Sequence, residues 1–262
     1  MVTASLAGTT VLVPRGGDWG TQASLEIAER GGEPVIAELI GFAPPEDPAP
    51  LEAAQARLAN GDYDWLVLTS PRAVTAIAIP ERNSNAIAKT ELRIHRNTRI
   101  AVVGDSTAAG LESFGRSPHF VPVNEHSARG LVSEWPHVTA PQRILWPRSS
   151  EAAPTIATGL TALGHRVDAT IAYRTVGVPL TAEARARILT GELRFALVTS
   201  GSIARQLVDQ IGADAPLRIV TIGPNTTRSA REAGLRVDFE AAQRTVSSML
   251  DAIEQGREPE GE

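Results

Sequence analysis

Short apolar runs alternate with longer amphipathic stretches along most of the chain. The apolar runs are three to ten residues long and predict strands at 10–14, 35–42, 65–69, 99–103, 120–123, 143–146, 167–176, 195–199, 218–222 and 237–239. The amphipathic stretches predict helices at 20–30, 51–60, 71–77, 107–114, 128–135, 152–163, 182–190, 202–211, 226–233 and 246–254. Because strands alternate with helices, the pattern predicts an α/β protein with parallel sheets covered on both faces.

The pattern contains an internal duplication. VLVPR at 11–15 returns as ILWPR at 144–148, and LVLTS at 66–70 returns as ALVTS at 196–200. AVVGDSTAAGLESFG, which begins at Ala101, returns in the same order as VTIGPNTTRSAREAG, which begins at Val220. Two copies of one unit predict two similar lobes, and clefts at domain interfaces are where ligands commonly bind.

Two extended runs, 35–42 and 167–176, are longer than the others, and each follows the first helix of its repeat. They indicate where the chain leaves one lobe for the other. The first lobe is therefore predicted to be discontinuous, with residues 1–35 and 175–262, and the second to span residues 45–167. Residues 36–44 and 168–174 are predicted to form a two-stranded β connector.

Composition excludes several classes of site. The 262 residues include no cysteine, which excludes disulfides and thiolate ligands, and the five histidines are scattered. No nucleotide-binding glycine loop and no nucleophile elbow occur in the sequence. We therefore expect neither a metal nor a cofactor.

Charge and hydropathy narrow the partners. The net charge is −5, Lys89 is the single lysine, and no basic block occurs, which argues against a nucleic-acid partner. No apolar run approaches the length of about 18 residues that a membrane helix needs, and the first ten residues have no signal-peptide pattern. The expected setting is the cytoplasm, and the expected ligand is a small molecule.

Repeated turns at strand ends are candidate anion sites, because ligands of parallel sheets bind at the carboxyl ends of strands. Each turn offers backbone N–H groups and a helix N-terminus to an anion. Helix capping explains the same residues equally well, and both interpretations remain open. The candidates are Ser70, Arg72, Gly104, Thr107, Thr199, Ser200, Gly201, Ser202, Gly223 and Thr226.

Three further side chains join these turns. Arg15 and Arg148 end the two repeat-related first strands, and Ser149 follows Arg148. A planar guanidinium can bind a carboxylate through two hydrogen bonds, so both arginines are candidate anion contacts. Tyr173 lies in the second long extended run, either as a half-buried strand aromatic or as a phenol that donates a hydrogen bond in the cleft.

Together these segments resemble the uroporphyrinogen-III synthase family. The resemblance rests on VLVPR, WLVLTSPRAV, IAVVGDSTA, ILWPRS, ATIAYRT, FALVTSGSIARQL and IVTIGPNTT in that order, followed by the last helix, across nearly the whole chain. The family has two α/β lobes joined by a two-stranded connector. Its members close the linear tetrapyrrole hydroxymethylbilane into uroporphyrinogen III with inversion of the last pyrrole ring, without a cofactor or metal.

The resemblance implies roles for particular residues. Tyr173 matches the family tyrosine and is the candidate for assisting departure of the substrate hydroxyl, while Thr107 and Thr226 match the threonines that follow the glycine turns. Ser70, Arg72, Ser200 and Ser202 match the turns that face the cleft. Two departures are Pro14 before Arg15, where the family commonly has threonine, and Asp105, which places negative charge beside expected carboxylates.

Two alternatives to the synthase remain open at this point. One is a tetrapyrrole-binding regulatory paralogue that keeps the fold without turnover. The other is an unrelated two-lobed solute-binding protein, which would normally carry an export signal. A monomer that receives hydroxymethylbilane from the upstream deaminase is the expectation that accompanies the synthase.

Overall fold

The computed structural model describes residues 6–80 and 90–256. In the first half of the chain the elements are β1 (Thr10–Val13), α1 (Gly17–Glu29), β2 (Glu33–Ile36), β3 (Ile40–Ala43), α2 (Ala49–Asn60), β4 (Trp65–Leu68), α3 (Pro71–Ala76), β5 (Ile79–Pro80), β6 (Thr90–Glu91), β7 (Arg99–Val102), α4 (Asp105–Glu112) and α5 (Ala128–Ser133). In the second half they are β8 (Arg143–Ser149), α6 (Thr155–Ala162), β9 (Arg166–Gly177), α7 (Ala182–Leu189), β10 (Phe195–Val198), α8 (Gly201–Ile211), β11 (Arg218–Thr221), α9 (Pro224–Glu232), β12 (Val237–Glu240) and α10 (Val246–Gln255).

The chain divides into two compact units. The terminal unit consists of Met1–Gly41 and Val176–Glu262, and the central unit is Phe42–Thr175. The chain passes between them within β3 and again within β9. The predicted lobe boundaries and the predicted connector of residues 36–44 and 168–174 stay predictions.

Each unit contains a five-stranded sheet. The terminal sheet has the order β12-β11-β10-β1-β2, with parallel pairing throughout. The second sheet has the order β3-β9-β8-β4-β7, and its β9, β8, β4 and β7 are parallel neighbours. Repeat-related strands occupy equivalent places in the two orders, because β2, β1, β10 and β11 match β9, β8, β4 and β7. The predicted α/β class with parallel sheets is confirmed.

The central strands are apolar along their whole length because both faces of each sheet are covered. All four residues of β4 and all four of β10 are buried, as expected for central strands of a parallel sheet. Apolar clusters lie on the two faces of each sheet, one pair in the terminal unit and one in the central unit.

Two predicted strands differ in the structure. The predicted strand at 35–42 is broken into β2 and β3, because β2 pairs with β1 whereas β3 is a neighbour of β9 in the other sheet. Between them Leu39 is fully buried and its N–H donates to the Pro14 carbonyl. The predicted strand at 120–123 is reduced to one bridge between Ala101 and Phe120. Hydrophobic periodicity identifies extended backbone but does not report which strand it pairs with.

Candidate functional site

The carboxyl end of the central sheet brings Tyr173 and Ser70 together. The Tyr173 Oη and Ser70 Oγ atoms are 3.1 Å apart, and either hydroxyl can donate. Ser70 is also the N-cap of α3, where its Oγ accepts a hydrogen bond from the Ala73 N–H at 3.1 Å. Two residues 103 positions apart in sequence therefore form one hydrogen-bonded group.

A bulge in β9 places Tyr173 at this edge. Arg148 pairs with Ile171, but the next residue, Ser149, pairs with Tyr173, so β9 has one extra residue at that point. The Ser150 N–H donates to the Tyr173 carbonyl at 3.0 Å and fixes the strand beyond the bulge. Bulges of this kind redirect side chains near functional sites.

Aromatic and cationic groups surround the phenol. The Tyr173 ring contacts Phe42 edge to face with a centroid distance of 5.7 Å, and the Arg72 guanidinium lies 4.3 Å from the Phe42 ring centroid. Tyr173, Phe42 and Arg72 line a cavity of about 540 Å³ together with residues of α2 and α3. That volume lies in the range of small-molecule sites. Two of the predicted site residues thus share one cavity.

The second tyrosine has a different environment. Tyr63 is buried, and its hydroxyl is hydrogen-bonded to Asp168, which also accepts from Arg57 at 2.7 Å. Burial, with the Asp168 hydrogen bond second, raises the pKa of Tyr63. This tyrosine is committed to a structural network that joins β9 to the end of α2.

The two predicted arginines have opposite environments. One Arg148 nitrogen donates to the carbonyls of Ser149, Ser150 and Ala152, at 3.0, 3.4 and 3.5 Å. Arg148 lines a separate cavity of about 720 Å³ beside the loop of residues 45–50. The structure does not place it with Tyr173, and Ser149 uses its Oγ to accept the Glu151 N–H.

Arg15 has no such partners. Its guanidinium lies 5.0 Å from the Trp19 ring centroid, and it makes no ion pair among the described residues. Burial lowers the pKa of the Arg15 guanidinium below its ordinary value. The backbone of Arg15 is held close to α1, since a Cβ at Gly20 would lie 2.1 Å from the Arg15 carbonyl oxygen. A partly desolvated cation without a carboxylate is suited to an anionic ligand.

The turns at the ends of β7 and β11 leave helix donors unused. Gly104 and Gly223 are the N-caps of α4 and α9, and neither provides a side-chain cap. Thr107 and Thr226 lie in the first helical turns with only 1% and 9% exposure, and their hydroxyls make no hydrogen bond within the described chain. Both threonines are buried as residues, and their hydroxyls remain available to a ligand.

Close helix packing brings neighbouring turns together within each unit. In the terminal unit a Cβ at Gly201, the first residue of α8, would lie 2.9 Å from Ser229 Cβ on α9. Ser200 caps α8 by accepting the Ile203 N–H, and Ser202 follows in the first turn. The buried Thr199 Oγ1 has no hydrogen-bond partner among the described residues. In the central unit, α3 and α4 pack at the equivalent place, with Pro71 against Gly110.

The sequence analysis missed two residues at these turns. A Cβ at Gly223 would lie 3.6 Å from Arg244 Cγ, and a Cβ at Gly104 would lie 3.5 Å from His126 Nδ1. Arg244 immediately precedes the N-cap of α10, as His126 precedes the N-cap of α5. Extending the repeat beyond residues 115 and 234 would have aligned these two positions.

The predicted site residues divide into two sets, one in each compact unit. The central set contains Ser70, Arg72, Gly104, Thr107, Arg148, Ser149 and Tyr173, and the terminal set contains Arg15, Thr199, Ser200, Gly201, Ser202, Gly223 and Thr226. The expectation that both sets line one cleft stays a prediction. Within residues 6–80 and 90–256, no group of three or more His, Asp or Glu side chains is placed to hold a metal ion. No helix in the described part of the chain has the length and hydropathy to cross a membrane.

Curated relatives give the first comparison. A uroporphyrinogen-III synthase from Synechococcus elongatus is 28% identical over 97% of this chain and 98% of its own length. The porphyrin biosynthesis protein HemD of Ruminiclostridium josui is 26% identical over 95% of this chain, which covers 48% of that protein.

Solved structures give the same fold. A mutant uroporphyrinogen III synthase of Thermus thermophilus has a TM-score of 0.59 at 18% identity, covering 94% of this chain and 98% of its own. The uroporphyrinogen-III synthetase of Helicobacter pylori has a TM-score of 0.60 at 17% identity, covering 95% of this chain and 100% of its own.

The sequence model of the family described as uroporphyrinogen-III synthase HemD matches residues 21–251. The chain belongs to the uroporphyrinogen-III synthase family.

Proposed function

We propose that this protein converts hydroxymethylbilane into uroporphyrinogen III, with loss of one water and inversion of the last pyrrole ring. Membership of the synthase family supports this reaction, and the observation that carries the mechanism is the Tyr173–Ser70 hydrogen bond beside Arg72. The substrate contains both the nucleophile and the electrophile. The protein therefore needs to hold a flexible polycarboxylate in one shape and to assist departure of the hydroxyl.

Tyr173 is the proton donor of this mechanism. The Ala73 N–H donates to Ser70 Oγ, and the 3.1 Å contact between Ser70 Oγ and Tyr173 Oη allows either hydroxyl to donate. The mechanism uses the orientation in which the Ser70 O–H donates to Tyr173 Oη and the Tyr173 O–H donates to the leaving oxygen. Successive hydrogen bonds polarise one another, so this orientation strengthens the phenol as a donor.

The reaction balances in protons and electrons without a co-reactant. The pyrrole nitrogen lone pair expels the hydroxyl, the C–O bond breaks, and the phenol proton completes a water molecule. The substituted α-carbon of the last pyrrole attacks the azafulvene methylene to form a spiro intermediate. The bond from that carbon to its original methylene bridge then breaks, and the other α-carbon of the same ring bonds to the released methylene. The proton that this second α-carbon loses returns to the Tyr173 oxygen, so the enzyme ends as it began.

Carboxylate binding is assigned to the turns and the unpaired cations. The buried Thr107 and Thr226 hydroxyls, the open helix N-termini of α4 and α9, and the Arg15 and Arg72 guanidiniums are suited to carboxylates. Because several donors share this task, a single side-chain loss should cost about 1–3 kcal/mol of binding free energy. The proposal places the remaining predicted residues of each set around these donors.

The proposal includes a setting for the reaction. We propose that a monomeric synthase in the cytoplasm receives hydroxymethylbilane directly from the upstream deaminase, which shortens the time that this reactive substrate spends in solution. Sedimentation of the purified chain with and without the deaminase tests this part separately from the reaction.

An isomer assay tests the function. The purified chain is incubated with freshly prepared hydroxymethylbilane, the products are oxidised, and isomers I and III are separated by chromatography. Isomer III in excess over the enzyme supports the synthase. Tight binding of hydroxymethylbilane with isomer I as the only product would instead support the regulatory paralogue, which keeps the fold without turnover.

A further inference from the structure

Arg244 lies against the glycine turn that begins α9. Its side chain passes the turn at van der Waals distance, since a Cβ at Gly223 would lie 3.6 Å from Arg244 Cγ and 3.7 Å from Arg244 Nε. The side chain is exposed and makes no ion pair or hydrogen bond with the described residues. Arg244 is therefore a cation at this turn that the sequence-based candidates did not include.

The backbone that carries Arg244 is held by reciprocal caps. Thr245, the N-cap of α10, accepts the Ser248 N–H at 3.1 Å, and Ser248 Oγ accepts the Gln243 N–H at 3.0 Å. These two bonds enclose Arg244 between fixed neighbours. The position of its Cα relative to the Gly223 turn is therefore determined by the fold and not by the arginine itself.

The turn that Arg244 contacts has unused donors. Pro224 occupies the first position of the nine-residue helix α9, and the N–H groups of Asn225 and Thr226 make no hydrogen bond within the described chain. Thr226 is only 9% exposed, and its hydroxyl makes no hydrogen bond with the described residues. These groups and Arg244 all favour a negatively charged ligand.

The charges around the Gly223 turn also favour a negatively charged ligand. A cation beside a helix N-terminus is unfavourable unless an anion lies between them, because both carry positive charge. A second cation, Arg228, is close, since it donates to Asn225 Oδ1 at 2.7 Å. No acidic residue belongs to the first turn of α9, and the carboxylate that contacts this turn among the described residues is Glu240, which accepts from Thr227 Oγ1.

The repeat-related turn of the central unit has the opposite character. His126 takes the place of Arg244 against Gly104, and Asp105 occupies the first position of α4. A carboxylate at that position occupies the field of the helix N-terminus that a ligand carboxylate would otherwise use. The two turns share their backbone but differ in charge.

We propose that Arg244 is a substrate-binding residue that holds one carboxylate of the tetrapyrrole against the Gly223 turn. The inference rests on the proposed function, because it takes the acetate and propionate groups of hydroxymethylbilane as the ligand. The carboxylate accepts hydrogen bonds from the Thr226 hydroxyl and the N-terminal N–H groups of α9, and it pairs with the Arg244 guanidinium. The Gly223 turn is the stronger carboxylate site, and the Gly104 turn is the weaker one.

Steady-state kinetics with hydroxymethylbilane test the assignment. Arg244→Gln should raise KM about tenfold, as expected for loss of one charged hydrogen bond, while kcat stays within about twofold. Arg244→Lys should recover part of the loss because it restores the charge but not the planar fork. The KM of the Gln variant should also depend less on ionic strength than that of the wild type. The melting temperature should change little, because Arg244 loses no hydrogen bond or ion pair with the described residues and Gln keeps most of the side chain that packs against the turn.

Arg236→Gln is the matched control. Arg236 belongs to the same unit, is 88% exposed, and pairs at 3.4 Å with Asp238 away from the turn. Its loss should leave KM and kcat unchanged.

Two failures can be told apart. A wild-type protein that makes no isomer III would remove the proposed function itself. A wild type that makes isomer III, together with an Arg244→Gln variant of unchanged KM and unchanged salt dependence, would overturn only the Arg244 assignment. A Gln variant that loses kcat and melting temperature together would also overturn it, because that result marks a structural role.

Discussion

Strands β1 and β8 hold equivalent places in their sheets. Arg15 lies two residues after β1, and Arg148 lies near the end of β8. Arg148 directs one nitrogen to three loop carbonyls, whereas Arg15 lies beside the Trp19 ring and makes no ion pair with the described residues. The same difference recurs at the serine turns, because Ser70 bonds to Tyr173 while Ser200 only caps its helix. Duplicated backbones thus present different chemistry. The central unit contains the hydrogen-bonded Tyr173 phenol, and the terminal unit contains Arg15, a cation without an ion pair among the described residues.

The first prediction concerns the phenol, where the largest effect is expected. Tyr173→Phe should lower kcat by about 10²–10⁴-fold, the range for loss of a general acid, and should leave residual isomer III because positioning remains. Folding should survive, since the ring that packs against Phe42 is kept. Tyr63→Phe is the control for loss of a phenol, and it should change stability more than kcat. Wild-type turnover by Tyr173→Phe would leave Tyr173 as a packing residue.

The second prediction separates the two arginines. Arg15→Gln should weaken substrate binding by about 1–3 kcal/mol, measured as a rise in KM, and should not lower the melting temperature, because no native partner is lost. Arg148→Gln should lower the free energy of unfolding by about 1 kcal/mol, since three carbonyls lose their donor. Equal KM values for both variants and the wild type would show that Arg15 does not contact substrate.

The third prediction compares the serine caps. Ser70→Ala and Ser200→Ala should each reduce stability by about 1 kcal/mol through loss of an N-cap, seen in denaturant unfolding. Only Ser70→Ala should also reduce kcat, by about tenfold, because Tyr173 loses its hydrogen-bond partner. Ser70→Thr keeps both the cap and the hydroxyl and should restore activity. An equal kcat in both alanine variants would exclude a role for Ser70 beyond capping.

The fourth prediction, with the smallest effect, concerns the pH dependence of stability in the central unit. Burial lowers the pKa of His165 from its usual 6.5, so the unfolded chain binds a proton before the folded chain does. Neutral His165 therefore adds to the free energy of unfolding above pH 6.5, and this contribution is lost as pH falls from 6.5 through the lower pKa of the folded state. The free energy of unfolding should fall by less than about 1.4 kcal/mol per pH unit over that range. Trp65, Trp135 and Trp146 lie in the same core, so tryptophan fluorescence reports its unfolding.

His165→Asn should flatten that dependence, because it keeps an acceptor near the Gln142 N–H without titrating in this range. The exposed His137 provides the control, and His137→Gln should leave the slope as it is in the wild type. An unchanged slope in His165→Asn would assign the pH dependence to another group.

Much of the fold follows from local patterns. Four-residue apolar runs such as those at Leu66 and Ala196 predict buried parallel strands, and the structure contains them as β4 and β10. The exchange of pairing partners at residues 37–39 was not predictable, because it depends on which sheet each strand joins. Arg244 and His126 were missed for a similar reason, since their importance comes from lying against glycines about twenty residues away in sequence.

The sequence by itself determined the α/β class, the duplication, the family resemblance and the residues that end each strand, because these depend on periodicity and residue order. Only the tertiary structure decided which of those residues have partners. Arg15 and Arg148 have the same position in the repeat, yet Arg15 makes no ion pair with the described residues, whereas Arg148 donates to carbonyls of its own loop. Local sequence fixes where a strand ends, whereas the neighbours of a side chain come from segments far away in the chain, and those neighbours decide its chemistry.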